Sequence, residues 1–389
     1  MTKIADAIVI GGGVMGASIL YNLALKGFRK SILLERDTIG SGSTGRSSGA
    51  IRMHYSTEVN AKLAHVSLEV FSNFDQIVGG EAGFVKTGYM VFAPKESEQA
   101  FSENIAMQQN LGIDTERVSI SEAAVLAPAF HLEEGEHFAW ESSSGHADPS
   151  ATTSSYLNMA KSFGASVFLQ SPVVGLEPSI RKTIVVSTVS EQYESDIVVL
   201  ATGPWSGQFL SGIGINLPLL PTRHEVFLLK RDLDMIPFHP GGGDMTNLTY
   251  FRPEGKDLTL VGNGNEEEVV DPDTYNQKYT LSYAEDVWNR LSKRMPGISE
   301  AALYTGYSGL YTSTPDLHPV IDRASQIEGL YICTGFSGHG FKLSPAVGMV
   351  MSELIIEGAS KTLDITPLRM NRFDEGNLNE TKYSFKVIA

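Results

Sequence analysis

The sequence predicts an α/β fold combined with an antiparallel β domain, and two observations support this prediction. Near the N-terminus, a buried strand, a glycine turn, an amphipathic helix and a second strand follow one another within residues 7–35. Two further α/β segments occur later in the chain, and strand-rich segments separate all three. We therefore expect a discontinuous domain (1–84, 146–218 and 313–370), a second domain with a mixed or antiparallel sheet (85–145 and 219–312), and a polar C-terminal tail (371–389).

The first α/β unit carries the pattern G-x-G-x-x-G at Gly11, Gly13 and Gly16. The first glycine permits a sharp turn, the second lets the backbone approach a pyrophosphate, and the third lets the helix pack closely on the sheet. The free N–H groups at the start of that helix attract phosphate. Glu35, at the end of the second strand, is placed to accept hydrogen bonds from a ribose. The unit predicts Rossmann-like binding of a dinucleotide, and NAD and FAD are equally compatible with it.

Apolar patterning places the remaining elements in order. We predict one helix over about residues 59–74 and another over about 281–295. A third helix is expected to follow the segment near residue 145 and to end at about residue 163. Ser344 suits an N-cap and Pro345 a first helical position, so a last helix is expected to begin there and to stop at Gly358. Alternating or buried apolar runs predict strands at 88–92, 166–169, 197–200, 226–229, 258–261 and 330–334.

Composition and charge exclude several classes of protein. The formal charge of −15 argues against nucleic-acid binding, and no apolar run approaches the roughly 20 residues of a membrane span. Cys333 is the sole cysteine, so neither an internal disulfide nor a cysteine-ligated cluster is possible, and we expect no metal. The first strand follows almost directly after Met1, which leaves no room for a signal peptide. We expect a soluble, cytoplasmic enzyme.

Four separated parts of the chain resemble the amino-acid-oxidising flavoprotein family, which includes sarcosine oxidases, glycine oxidase, D-amino-acid oxidase and dimethylglycine dehydrogenase. They are the glycine turn with Glu35, the loop GSTGRSSGAIR at 42–52, the segment VLATGPWS at 199–206, and the motifs TSTPD at 312–316 and GFSGHGFKLSP at 335–345. The resemblance spans almost the whole chain and is strongest toward monomeric sarcosine oxidase and sarcosine oxidase β subunits. It implies FAD in an interrupted FAD-binding domain, covered by the antiparallel sheet of a substrate domain.

The resemblance implies a set of cofactor-binding residues. Hydroxyl and backbone N–H groups of the loop after Glu35 suit the second half of a pyrophosphate, and Val173 resembles the position whose backbone meets the adenine edge. The last helix is expected to direct its N-terminus at the flavin, where reduced flavin carries negative charge. The predicted set is Gly11, Gly13, Val14, Met15, Gly16, Glu35, Arg36, Ser43, Thr44, Arg46, Ser47, Ser48, Val173, Ala201, Thr202, Gly203, Trp205, Gly338, His339, Gly340, Phe341 and Lys342.

The same resemblance implies the candidate catalytic residues. Arg52 and Lys342 match the family's two carboxylate-binding positions, and the planar fork of an arginine suits bidentate binding of a carboxylate. Tyr250, Tyr311 and His339 match residues that line the substrate cavity and contact the amine or the flavin. Oxidation of an α-amino acid requires the α C–H group over flavin N5 and a firmly held carboxylate.

Two departures from the family bear on the cofactor and on oxygen. Covalently flavinylated sarcosine oxidases carry a cysteine where this sequence has Gly309, and the loop lacks the histidine that dimethylglycine dehydrogenases use for attachment. FAD is therefore expected to be noncovalent. Monomeric sarcosine oxidase keeps an oxygen-activating lysine where this sequence has Leu260. We therefore expect a dehydrogenase that uses another electron acceptor, which the sequence does not identify.

The leading hypothesis is FAD-dependent oxidation of the C–N bond of a small N-alkylated or secondary amino acid, such as sarcosine or proline. An FAD-dependent dehydrogenase of a 2-hydroxy acid or a polyol phosphate is an alternative, because Arg52 and Lys342 would bind those anions too. A β-type subunit that is active only with a partner, a homo-oligomer, a flavin-binding scaffold and a nicotinamide dehydrogenase also remain open.

Overall fold

The computed structural model of the protein describes residues 2–179, 182–264 and 268–383. Its strands are β1 (Lys3–Ile4), β2 (Ile8–Ile10), β3 (Ile32–Leu34), β4 (Ala50–Ile51), β5 (Val85–Lys86), β6 (Tyr89–Ala93), β7 (Thr115–Val118), β8 (His137–Glu141), β9 (Gly145–His146), β10 (Ser166–Phe168), β11 (Val173–Pro178), β12 (Ile184–Thr188), β13 (Gln192–Ser195), β14 (Val198–Leu200), β15 (Leu220–Lys230), β16 (Gly241–Asp244), β17 (Thr249–Glu254), β18 (Leu258–Gly262), β19 (Glu268–Val269), β20 (Ala302–Ser313), β21 (Val320–Arg323) and β22 (Leu330–Thr334). Its α-helices are α1 (Val14–Leu25), α2 (Glu58–Ser72), α3 (Phe74–Ile77), α4 (Glu98–Asn110), α5 (Ile120–Leu126), α6 (Pro149–Ser162), α7 (Ser206–Gly212), α8 (Leu281–Arg294) and α9 (Gly340–Glu357).

A six-stranded sheet in the order β10-β3-β2-β14-β22-β21 collects strands from distant parts of the chain. All neighbours in it are parallel except β21, which runs antiparallel to β22. One face packs on α1, α2, α6 and α9, and the other on the four-stranded sheet β1-β13-β12-β11. Burial on both faces explains why its central strands are continuous apolar runs.

The second large sheet has the order β19-β15-β18-β17-β16-β6-β8-β7, with β20 paired to β15. Its pairs are antiparallel except β16 with β6, which are parallel. One face of this sheet packs against α8. The apolar core between them includes Phe227, Phe251 and Leu291. The predicted fold class, α/β with a second domain built on a mixed or antiparallel sheet, is confirmed.

The predicted start of the last helix is wrong. The helix α9 begins at Gly340, with His339 as its N-cap, and not at Ser344 and Pro345. Pro345 therefore lies inside the helix and lacks the N–H group that would bind the carbonyl oxygen of Phe341. The Ser344 hydroxyl donates to that oxygen instead, at 2.8 Å, and so replaces the missing bond. The predicted stop at Gly358 is confirmed, since this residue adopts a left-handed conformation with φ of 79°.

The described part of the predicted C-terminal tail packs against the rest of the chain. Arg372 is fully buried and forms an ion pair with Asp316, with Nε 2.8 Å from Oδ2. Tyr383 is buried and stacks on His54, with 5.7 Å between the ring centroids. A sequence pattern suggests solvent exposure for polar residues, but their distant partners bury these ones.

None of the described helices is long and apolar enough to cross a membrane. The described residues also contain no group of three or more His, Cys, Asp or Glu side chains that could hold a metal ion.

Candidate active site

An elongated cavity of about 490 Å³ lies at the carboxyl ends of β2, β3, β14 and β22. It extends from Glu35 and Val173 at one end to Tyr250 and Tyr311 on the second sheet at the other. A ligand in it would therefore contact both sheets. The predicted cofactor-binding residues that line it are Gly11, Gly13, Val14, Met15, Glu35, Arg36, Ser43, Thr44, Arg46, Ser47, Ser48, Val173, Ala201, Thr202, Gly203, Trp205, Gly338, Gly340 and Phe341.

The glycine turn at the start of α1 has the geometry of a phosphate cradle. Gly11 has a φ of 113°, and a Cβ atom there would lie 2.4 Å from the carbonyl oxygen of Ala201. The N-cap Gly13 offers no side chain, so Thr44 Oγ1 accepts the N–H bond of Val14 at 3.1 Å. Gly16 does not line the cavity and serves packing, because a Cβ atom there would lie 2.0 Å from the oxygen of Gly11.

Glu35 closes the same turn from the end of β3. Its Oε2 accepts the N–H of Gly12 at 2.6 Å, and its Oε1 accepts the N–H of Asp37 at 2.8 Å. Each carboxylate oxygen keeps a further lone pair for a hydroxyl donor. The side chain thus lies where the sequence predicted a ribose contact.

Three side chains meet over one wall of this cavity. The Arg36 guanidinium lies 4.0 Å from the centroid of the Trp205 ring, and its Nη1 is 2.9 Å from Asp273 Oδ1. The Trp205 indole donates to the same oxygen at 2.8 Å. Asp273 was not among the residues predicted from the sequence. It connects the loop after β19 to Arg36 and Trp205, which follow strands of the six-stranded sheet.

A second, smaller cavity of about 40 Å³ adjoins the first. The two share lining residues, among them Tyr250, Tyr311 and Gly338. Gly338 permits close approach, since a Cβ atom there would lie 2.5 Å from the Tyr311 ring. All five predicted catalytic residues line the smaller cavity: Arg52, Tyr250, Tyr311, His339 and Lys342.

Two buried cationic side chains face this small cavity. Arg52 is 2% exposed and Lys342 is 8% exposed. Arg52 donates to the carbonyl oxygen of His54, and its guanidinium carbon lies 4.4 Å from the centroid of the Tyr55 ring. Burial, together with the charge of Arg52, lowers the pKa of Lys342 well below its usual range. An anionic ligand between the two side chains would reverse that effect, because an opposite charge favours the protonated amine.

The opposite wall is formed by aromatic side chains. Burial raises the pKa of the hydroxyls of Tyr250 and Tyr311. His224 stacks on Tyr311 with 3.7 Å between centroids, and its Nε2 lies 3.0 Å from Thr222 Oγ1. The two tyrosine hydroxyls can accept or donate hydrogen bonds without adding charge.

Sequence reasoning missed several residues that the fold brings to the two cavities. His224, Tyr89 and Asp273 line one or both of them. For His224 the sequence contained a signal, because residues 222–225 are four consecutive polar residues in a strand that is otherwise apolar up to its last residue, Lys230, and all four are buried. Buried polar side chains require hydrogen-bonding partners, so such a run indicates a polar site.

Comparisons with known proteins agree with this geometry. A family model described as "FAD dependent oxidoreductase" matches residues 6–354. Monomeric sarcosine oxidase from Arthrobacter is 28% identical, over 94% of this chain and 96% of the relative. "FAD-dependent oxidoreductase domain-containing protein 1" from Bos taurus is 27% identical, over 95% of this chain and 85% of the relative.

Among solved structures, L-proline dehydrogenase from P. horikoshii superposes with a TM-score of 0.89. It is 28% identical in sequence, and the match covers 97% of this chain and 100% of that one. The family match spans most of the sequence and includes the glycine turn and most of α9. The chain belongs to the FAD-dependent oxidoreductase family, whose cofactor is FAD.

Proposed function

We propose that the protein oxidises the C–N bond of a small amino acid that is N-alkylated or has a secondary amine. The observation that carries the proposal is the position of Arg52 and Lys342, which are buried together and line the small cavity beside Tyr250 and Tyr311. Both tyrosines also line the large cavity, so a ligand held by the cations lies next to the cofactor cleft. FAD, when bound, accepts a hydride equivalent from the substrate carbon.

Different side chains of the small cavity bind different groups of the substrate. Arg52 binds the carboxylate through its planar fork, and Lys342 adds a point charge to the same group. Tyr250 and Tyr311 are held neutral by burial and provide hydrogen bonds for the amine. The small volume, about 40 Å³, favours a substrate with little or no side chain. Two fixed charges that bind the carboxylate leave the α-carbon few alternative positions, which is how orientation accelerates a reaction.

The large cavity fits FAD, and we propose that the cofactor is held without a covalent bond. The cradle at Gly11 and the open N-terminus of α1 suit a pyrophosphate, and Glu35 suits a ribose. At Gly309, where covalent relatives have cysteine, a Cβ atom would lie 2.9 Å from Cβ of Arg46. A thiol at that position would therefore require the Arg46 segment to move.

The relatives' names favour an amine donor over a hydroxy acid. Sarcosine oxidases and an L-proline dehydrogenase are similar to this chain over more than nine-tenths of its length. Sarcosine and proline are both secondary amines. Arg52 and Lys342 alone would also bind a hydroxy acid, so the amine rests on this similarity.

We further propose a dehydrogenase and not an oxidase. Leu260, in place of a lysine, packs against Val226 and Tyr250, and both of these line the large cavity. A cation near the flavin would stabilise superoxide, and an apolar side chain provides no such stabilisation. We therefore expect the reduced enzyme to transfer electrons to an artificial acceptor faster than to oxygen.

The proposal is tested by mixing the FAD-loaded protein anaerobically with sarcosine, L-proline, glycine, lactate and glycerol 3-phosphate. Loss of the oxidised flavin absorbance with one of the secondary amines is the expected result. If none of the amino acids bleaches the flavin, the proposal is wrong, and bleaching by lactate alone favours the hydroxy-acid alternative. Lys342→Met is expected to weaken substrate binding roughly 10- to 150-fold, through loss of a charged hydrogen bond. Lys382→Met, which removes a surface lysine paired with Glu103, is the matched control.

We propose the cytoplasm as the compartment because the chain has one cysteine, which is buried. The relatives include proteins named as mitochondrial and peroxisomal, so fractionation of cells that express the tagged protein is the test.

A further inference from the structure

A buried carboxylate, Glu141, binds the backbone of the segment that carries the arginine of the small cavity. Its side chain is fully buried, and its Oε2 accepts hydrogen bonds from the Met53 N–H at 2.9 Å and from the Ser144 hydroxyl at 2.6 Å. Within the described part of the chain, its other oxygen, Oε1, has no hydrogen-bond partner. A buried carboxylate oxygen without a partner is costly in free energy, so this arrangement requires an explanation.

Glu141 and Arg52 are connected through two neighbours. Glu141 pairs across strands with Tyr89, which places both side chains on the same face of the sheet. Tyr89 lines the small cavity together with Arg52. The Met53 N–H that Glu141 holds belongs to the residue that directly follows Arg52. One carboxylate therefore fixes the segment that carries the arginine and places negative charge beside it.

The charged and titratable groups around Glu141 come from three parts of the chain. Arg52 and Tyr55 follow β4, Tyr89 belongs to β6, and Asp114 precedes β7. The charge of Arg52 also lowers the pKa of Lys342, which lines the same small cavity. The charge of Arg52 lowers the pKa of Glu141, and the charge of Asp114 raises that pKa by less.

The ionisation of Glu141 is finely balanced. Burial raises its pKa to about 7, although the Met53 N–H, the Ser144 hydroxyl and the charge of Arg52 lower it. A carboxylate ligand at Arg52 would bring a second negative charge into the same buried space. Two carboxylates that share a site do not both stay ionised at little cost, and the pKa of one of them rises strongly.

We propose that Glu141 is ionised near Arg52 in the empty site and takes up one proton from solvent when a carboxylate ligand binds at Arg52. The ionised carboxylate and one proton become the neutral acid, and the ligand's carboxylate then supplies the negative charge near Arg52. The inference depends on the proposed function only for the statement that Arg52 binds a carboxylate.

The proton uptake has a definite sign in a binding experiment. The ligand raises the pKa of Glu141 in the complex above its value in the free enzyme, so binding weakens as the pH rises between these two values. With a shift of about 1 to 2 pKa units, the dissociation constant is roughly 5- to 20-fold higher at about pH 8.5 than at about pH 6.5.

The test uses acetate as the probe and the visible spectrum of the FAD-loaded enzyme as the readout. Glu141→Gln keeps an oxygen that accepts the Met53 N–H but cannot take up a proton. Its dissociation constant for acetate is expected to rise with pH much less than that of the wild type, and to be lower than wild type at about pH 8.5. Any weakening caused by deprotonation of Lys342 would persist in the variant. An unchanged pH dependence in Glu141→Gln therefore overturns the proposal.

A measurement on the wild-type enzyme keeps the proposal testable if the variant does not fold. The infrared difference spectrum on binding isotopically labelled acetate near pH 8 should contain a new, unlabelled carboxylic-acid C=O band. Its absence overturns the role of Glu141 while leaving the anion site intact. Failure of acetate to bind at any pH contradicts the carboxylate site itself, and the proposed function and this inference with it.

Discussion

The buried ion pair between Arg372 and Asp316 leads to a sharp prediction about stability. Arg372 Nε and Nη2 lie 2.8 Å and 3.0 Å from the two oxygens of Asp316, and both side chains are almost completely buried. Asn379 adds two further donors to the same carboxylate, at 3.1 Å and 3.2 Å. Arg372→Met replaces the arginine with an uncharged side chain and leaves the carboxylate buried without its cation.

The size of the effect follows from the burial. Removing one partner of a buried ion pair costs about 3–5 kcal/mol, because the other charge stays buried and uncompensated. A chain of 389 residues has an unfolding entropy of about 0.8 kcal/mol/K. The melting temperature should therefore fall by about 4–6 °C, measured by calorimetry on the FAD-loaded protein.

A variant in the same segment provides the control. Arg369 pairs with Glu375 on the surface, where its side chain is 30% exposed and that of the glutamate 46% exposed. Exposed pairs contribute about 0–1 kcal/mol, so Arg369→Met should lower the melting temperature by no more than about 1 °C. Equal shifts for Arg372→Met and Arg369→Met would refute the reasoning from burial.

The same pair predicts a dependence on pH. Burial alone would raise the pKa of Asp316, but hydrogen bonds and charge from Arg372, with help from Asn379, hold it well below the ordinary value. A carboxyl whose pKa is lower in the folded state stabilises the fold above its unfolded pKa of about 3.9 and loses that contribution as the pH falls further. Without Arg372, burial raises the pKa of Asp316, so the variant recovers stability as this carboxyl takes up a proton. The difference in melting temperature between wild type and Arg372→Met should therefore be largest near about pH 7 and shrink as the pH falls, and it should be smallest below about pH 4, where the wild type also loses its ion pair.

Three further predictions concern the cofactor cleft. Gly11→Ala should weaken FAD binding roughly tenfold or more, measured by fluorescence titration, whereas Gly27→Ala, which has a positive φ but open space around it, should not. Thr44→Val removes the acceptor for the first N–H of α1 and should weaken FAD binding about fivefold; unchanged affinity would show that the hydroxyl has no part in the cradle. Asp273→Ala removes the contacts of this carboxylate with Arg36 and Trp205 and should speed FAD dissociation about two- to fivefold. Asp271→Ala is the control. Equal dissociation rates for the two variants would contradict a specific role of Asp273 in connecting these residues.

The part of the fold that the sequence predicted best is the part that local interactions determine. The strand before Gly11 is apolar, the turn needs a positive φ, and α1 ends at Leu25, two residues before Gly27, whose N–H donates to the carbonyl oxygen of Ala24 at 3.1 Å. These features depend on residues close together in the chain. The start of α9 was predicted wrongly from a local rule, which places proline at the first helical position. Inside the helix, the Ser344 hydroxyl replaces the backbone hydrogen bond that Pro345 cannot make to the carbonyl oxygen of Phe341, so the helix tolerates the proline.

The candidate site depends far more on distant residues. Arg52 and Lys342 are separated by most of the chain, and only their resemblance to a family indicated that they act together. The fold now brings both to one small cavity. Glu141 and Tyr383 gave no signal in the sequence, because their burial depends on partners from other elements. Charge and polarity along a sequence do not reveal which polar groups a fold will bury together.

The motif Thr314-Pro315-Asp316 contributed strongly to the resemblance, yet the contacts of its aspartate are structural. The oxygens of Asp316 are occupied by Arg372, by Asn379 and by a backbone N–H, which leaves little capacity for a ligand. The Thr314 N–H in turn donates to Ser337 Oγ at 3.2 Å, and Ser337 lines both cavities.

The motif therefore acts on the site through position. It anchors the C-terminal segment on one side and the glycine turn before α9 on the other, and α9 carries Lys342. Asp316→Asn should therefore lower the melting temperature and leave the dissociation constant for acetate nearly unchanged. A variant with an unchanged melting temperature and lost acetate binding would instead assign the aspartate a direct part in binding the ligand.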